Sequence, residues 1–266
     1  MILRISIEER LVYRADFAMT TLMQFIPIVT QIFLWYAIFE GAKKDKIAGF
    51  SREDFVAYYL LVTVGRAFSS MPNLASGIAL QIRNGEIKKF LIQPVDLMGF
   101  LLLTRIAHKL VYYIVALVPF VFVFYLCRRY FTAGWPDVPT FGAFATSLIM
   151  AFLLGFLLEA AIGMIGFWFL EVSSLLFIYM LLNYLLSGHM FPLDMLDALP
   201  GWVRTFFDVL PFQYLAYFPA AVFLGKVQGE ALAQGLWLQL FWVFTFFMVC
   251  RMTFHFGVKH YSGYGG

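Results

Sequence analysis

FGAFATSLIMAFLLGFLLEAAIGMIGFWF, residues 141–169, is the stretch that decides the fold. It holds one charged side chain, Glu159, in an otherwise apolar run. At about 1.5 Å per residue such a run crosses the roughly 30 Å hydrocarbon layer of a bilayer as an α-helix. Lipid offers no hydrogen-bond partners, so the backbone must be satisfied within the segment or in a closed barrel. The run has none of the two-residue alternation of a barrel strand, which leaves the helix.

Working outward, similar runs occur near 17–39, 55–80, 99–126, 172–191 and 232–250. The chain is therefore expected to be an all-α polytopic membrane protein with six transmembrane helices, one transmembrane domain over 1–266. Composition agrees. Of the 266 residues 62% are hydrophobic and 13% charged, where soluble domains are about half apolar and about a quarter charged. Mean hydropathy is +0.82. The least uniform run is 55–80, which carries Arg66, Ser69, Ser70 and Asn73.

The net charge of +3, with no Lys/Arg block, gives no basis for nucleic-acid binding. Cys127 and Cys250 have no metal-ligand spacing and point to no disulfide framework. The first apolar run follows Arg4, Arg10 and Arg14 and is too long for a signal-peptide core, so it reads as a retained span. Residues 1–16 ahead of it read as an interfacial helix, with Ile7, Leu11 and Ala15 opposite Glu9, Tyr13 and Asp16, or as a solvated lead-in. Basic residues divide almost evenly between the two sets of loops. The positive-inside rule, helped by Arg105 and Lys109, tips only weakly toward a cytoplasmic N-terminus.

Two connecting segments are unusual. Residues 82–95, IRNGEIKKFLIQPV, place Ile87, Phe90 and Leu91 on one helical stripe among Arg83, Glu86, Lys88 and Lys89. Gly85 allows a sharp bend and Pro94 stops the helix. Such a segment can seat in a groove of a soluble partner or rest on anionic headgroups. Residues 192–230 are too apolar for a solvated loop, and Pro192, Pro200, Pro211 and Pro219 forbid a long helix. The expectation is a re-entrant pair of short helices broken at each proline. Asp194 and Asp208 stand near helix ends where they can cap, and Trp202, Tyr214 and Tyr217 suit an aromatic belt.

Charges inside a membrane mark function or a structural pair. On a continuous helix Arg66 shares a face with Tyr59, Ser70, Asn73 and Gly77. That face can line a translocation path, or Arg66 can bond to carbonyls or Asn73. Glu159 shares its face with Ala151, Gly155, Gly163 and Gly166, a close-packing surface for another helix. Counting helical rise puts Glu159 about 15 Å deep and Arg105 and Lys109 about 10–15 Å, so Glu159 is expected to form a structural charge pair with Arg105 or Lys109.

For catalysis the inventory is thin. Ser187 and His189 are close in sequence with no orienting third group, and His108, His255 and His260 stand alone. No GxxxxGK[ST] phosphate loop occurs, so ATP would have to be held by another polypeptide.

IRNGEIKKFLIQPVDLMGF (82–100), LLSGHMFPLDMLDALPGWVRTFFDVLPFQYLAYFPAAVFLGK (185–226) and YRADF (13–17), together with six spans, resemble the permease subunits of bacterial type-2 ABC exporters. The branch is one that often works as an unlike permease pair with a separate ATPase. The resemblance implies a cytoplasmic N-terminus, a multi-pass place in the bacterial inner membrane and a coupling helix between spans two and three. It also implies a re-entrant pair before span six. The implied partners are a second permease, identical or related, and an ABC ATPase holding ATP and Mg, with no cofactor or metal in this chain. An ion-gradient transporter, with paired midplane acids, an intramembrane enzyme and a non-transporting scaffold are the rival expectations.

Overall fold

A computed structural model describes residues 23, 26–43, 46–47, 49–92, 95–132, 134–169 and 171–261. The expected interfacial helix 1–16, the YRADF stretch and Pro94 lie outside the described residues. Among those described, the chain is helical, with only an isolated bridge between Ile47 and Phe50. It divides into two units, 1–61 with 97–135 and 62–96 with 136–266.

The first unit contains α1 (Ile26–Ala42), the opening half of α2 (Arg52–Ser69) and α5 (Leu97–Leu126), which carries Pro119 within it. Helix α2 starts on a reciprocal cap. Ser51 N–H donates to Asp54 Oδ2 at 3.0 Å and Asp54 N–H donates to Ser51 Oγ at 3.2 Å, which satisfies two backbone donors that a helix start otherwise orphans. Thr132 then donates to the same carboxylate at 3.2 Å. Trp35 stacks on Phe55 at 4.3 Å, and its indole N–H donates to Tyr59 at 2.5 Å.

The second unit is built around α6 (Val138–Met164). Against it pack α3 (Leu74–Arg83) and α10 (Gly229–His260), with α7 (Ser173–Leu186) beside α3. Small residues on α6 set the spacing, as expected for helices joined in lipid. A methyl group at Gly155 would lie 2.0 Å from the Ser69 carbonyl oxygen, and one at Gly163 would lie 2.7 Å from that of Ala75. The close-packing face expected around Glu159 thus meets the chain of the second apolar run.

That run departs from expectation. In place of one span over 55–80, α2 ends at Ser69 and α3 begins at Leu74. Pro72 supplies no N–H and Asn73 takes a left-handed backbone, φ 61°. The fifth run is also shorter than 172–191. Helix α7 stops at Leu186, where Ser187 turns its hydroxyl back to the Asn183 carbonyl and Gly188 has φ 85°. Among the described residues, three helices are fit by length and composition to cross a membrane: the 97–114 part of α5, α6 continued to Phe167, and α10.

Residues 192–223 form four short pieces: 3-10 turns at Leu193–Ala198 and Pro211–Leu215, and helices α8 (Gly201–Val209) and α9 (Tyr217–Phe223). Prolines 192, 200 and 211 stand at the starts, while Pro219 sits in the first turn of α9, where its missing N–H costs nothing. The aspartates do not cap. Asp194 accepts the Tyr217 hydroxyl at 2.8 Å, and Asp208 accepts Arg204 Nε at 3.1 Å through both oxygens. Arg204 also reaches Asp197 at 3.6 Å and covers the Tyr217 ring. Of the aromatic residues expected at an interface, Trp202 is exposed, whereas Tyr214 and Tyr217 are buried. Their hydroxyl and carbonyl groups are needed inside.

Candidate functional site

The segment joining α3 to α5 is shaped by its glycine. Gly85 has φ 76°, and the short helix α4 (Lys88–Ile92) follows at once. Arg83, Glu86, Lys88 and Lys89 are exposed, with Lys89 Nζ 4.0 Å from Glu86. The stripe drawn from spacing turns out to be divided. Ile87 is fully buried, Phe90 is half-buried with Lys89 over its ring, and Leu91 is exposed. Ile92, not singled out by the periodicity, is 83% exposed. The helix is so short that Ile87 precedes it, serving as its anchor, while Leu91 and Ile92 form its outward apolar surface.

The anchor holds the segment to the far end of α10. A side chain at Gly85 would come within 3.5 Å of the Tyr261 hydroxyl and 4.0 Å of Lys88 Nζ. Tyr261 packs edge-on to Phe167 at 6.1 Å, and Phe254 meets the same ring at 6.1 Å. Asp96, just beyond the segment, accepts from Arg251 Nη1. In the adjoining turn Glu171 accepts the Ser173 N–H at 3.3 Å. The Ser173 hydroxyl first, then this N–H and, to a lesser degree, the nearby Arg83 charge hold its carboxyl below the usual carboxylate range. One end of the second unit therefore gathers 82–92, 95–96, 165–169, 171–173 and 251–261. Sequence reasoning missed the role of α10 here, because Asp96 and Arg251 lie 155 positions apart.

Within the second run, Glu159 Oε1 accepts the Met71 N–H at 3.3 Å. A helix break exposes backbone donors that lipid cannot satisfy, and the carboxylate meets one of them. Arg105 and Lys109, the expected counter-ions, are half-buried on α5 in the first unit, and Lys109 Nζ lies 5.9 Å from the centre of the Tyr112 ring. The shared face of Tyr59, Arg66, Ser70 and Asn73 is interrupted by the break. Tyr59 is buried and bonded to Trp35, Arg66 and Asn73 are exposed, and Ser70 is half-exposed.

The chain matches the sequence profile of a family described as ABC-2 family transporter protein over residues 25–265. The chain belongs to this family. It is thus a multi-pass membrane component of an ABC transporter, of the kind that works with an ABC ATPase and is not itself catalytic. No curated protein matches it.

In this ABC-2 permease the Ser187 hydroxyl contacts both the Asn183 carbonyl and His189 Nδ1, and with one proton it can donate to only one of them. His189, just past the end of α7, also stacks on Tyr184 at 6.2 Å.

Proposed function

We propose that this chain is the membrane-spanning subunit of an ATP-driven exporter. Its match to the ABC-2 transporter family over 25–265 carries the reading. The chain crosses a bacterial cytoplasmic membrane six times with its N-terminus inside. A second permease, identical or related, completes the path, and a separate ABC ATPase holds ATP and Mg. The exposed helix α4, with Leu91 and Ile92 outward and Lys88 and Lys89 beside them, supports its use as the surface gripped by that ATPase.

Closure of the ATPase pair then presses on 82–95, and nucleotide shifts the population between inward- and outward-open bundles. Since Ile87 and the Asp96–Arg251 pair tie this segment into the second unit, the push is delivered to α3 and α10 together. Arg66, Ser70 and Asn73, around the break between α2 and α3, border the route of the cargo in this reading. Pairing of Glu159 with Arg105 or Lys109 belongs to the same proposal. A charge-swap cycle should give coupling above about 1 kcal/mol, whereas additive effects would refute the pair.

The direct test is Leu91→Asp with Ile92→Asp. Placing two carboxylates in an apolar contact should abolish co-purification of the ATPase while the chain stays in the membrane. Undiminished co-purification removes 82–95 as the docking segment.

A further inference from the structure

Between α4 and the C-terminal part of α10 lies an open cleft of about 500 Å³. Its walls are of two kinds. Leu91, Phe254 and Val258 make it apolar, while Arg251, His255 and Lys259 bring three nitrogen-bearing side chains at one-turn spacing along α10. Residues four apart share a helical face, so these three point the same way. Asp96 also lines the cleft and accepts from Arg251, which fixes the guanidinium at the rim and offsets part of its charge. Lys259 Nζ lies 5.8 Å from the centre of the Phe256 ring.

The level of the cleft along α10 follows from helix geometry. Gly229 and Arg251 are separated by about 33 Å of helical rise, slightly more than the roughly 30 Å hydrocarbon layer. The stretch 251–259 therefore emerges at the headgroup layer. Its neighbours Met252 and Phe256 are 58% and 54% exposed, so an apolar surface fit for acyl chains adjoins the basic row.

We propose that this cleft is a binding site for an anionic phospholipid, its phosphate held by Arg251, His255 and Lys259 and its glycerol and ester region against Phe254 and Val258, while its chains run back along α10 into the hydrocarbon layer. Basic residues at a membrane surface attract acidic lipids, but a charged patch alone would hold only the headgroup. Here the apolar walls select an amphiphile. The site stands independently of the export reading, since it requires only that α10 spans the bilayer.

The test is native mass spectrometry of the full-length detergent-purified chain titrated with phosphatidylglycerol or phosphatidylcholine. Phosphatidylglycerol should stay bound where phosphatidylcholine does not. Arg251→Ala with Lys259→Ala should weaken it about thirtyfold, while removing two exposed charges elsewhere, Arg128→Ala with Arg129→Ala, should leave binding unaltered. Val258→Trp, which fills the cleft and leaves every charge in place, should also abolish binding and covers the case in which the double variant does not fold. Equal retention of both lipids, unaltered binding in Val258→Trp, or displacement of the lipid by equimolar inorganic phosphate would overturn the proposal.

Discussion

Helices α6 and α10 are both long, apolar and fit to cross a bilayer, yet they serve opposite purposes. In the most apolar stretch of α6, 56% of residues are buried within the chain, against 11% for α10. On α10 the buried positions Gly235, Gln239, Cys250 and Gly257 fall on one stripe, and each meets a defined partner. A side chain at Gly235 would collide with the Phe218 ring, Cys250 Sγ donates to the Leu157 carbonyl at 3.2 Å, and Gly257 faces Phe167. Helix α6 is largely enclosed by protein from Ala151 to Met164; α10 touches it along a seam and turns the rest outward. Hydropathy is blind to this distinction, because lipid and protein core are about equally apolar.

The contrast breaks most easily at α6. Gly155→Val should abolish folding or cost roughly 3 kcal/mol or more, since even a methyl group there would overlap the Ser69 carbonyl. Thermal unfolding of the purified chain reads the effect, and a shift under about 0.5 kcal/mol would show that the two backbones do not approach. Next comes the seam. Gln239 is fully buried: it accepts from Ser147 Oγ at 2.9 Å and donates to the carbonyls of Ser147 and Tyr214 at 2.9 and 3.2 Å. Gln239→Leu keeps the volume and orphans all three groups, at about 1–3 kcal/mol. Glu159→Ala should cost a similar amount by stranding the Met71 N–H, with Glu159→Gln recovering most of it because an amide oxygen still accepts.

What the sequence disclosed follows the same division. The Gly155–Glu159–Gly163–Gly166 face was legible because small residues at helical spacing have one physical use in lipid. The proline-broken character of 192–223 was legible too, since proline fixes φ and removes a donor wherever it stands. The break between α2 and α3 carried the same signal in Pro72, which the apolar length of 55–80 outweighed; what spacing could not show is that a distant element, α6, meets the freed Met71 N–H through Glu159. The inward turn of Ile87 escaped for a related reason. Helical periodicity assumes a helix through 87–91, whereas Gly85 and the contacts of Tyr261 rotate that residue inward before the helix starts. Composition separates membrane from water and not one transporter from another, but the stretches 82–100 and 185–226 carried the family resemblance, which the match over 25–265 bears out.

The smallest effect is expected on the outward face of α10, and it sharpens the comparison most. Phe244 is 59% exposed and stands on the side away from the seam. If lipid is its only neighbour, Phe244→Leu exchanges one apolar surface for another and should change unfolding by less than about 0.5 kcal/mol. The purified permease alone should give this result. A second permease seated on that face would bury the ring, and the same substitution would then cost more in the assembled transporter than in the isolated chain. Measuring the variant in both states separates a helix that faces lipid throughout from one that is half of an interface. An equal, near-zero effect in the two would place the second permease elsewhere.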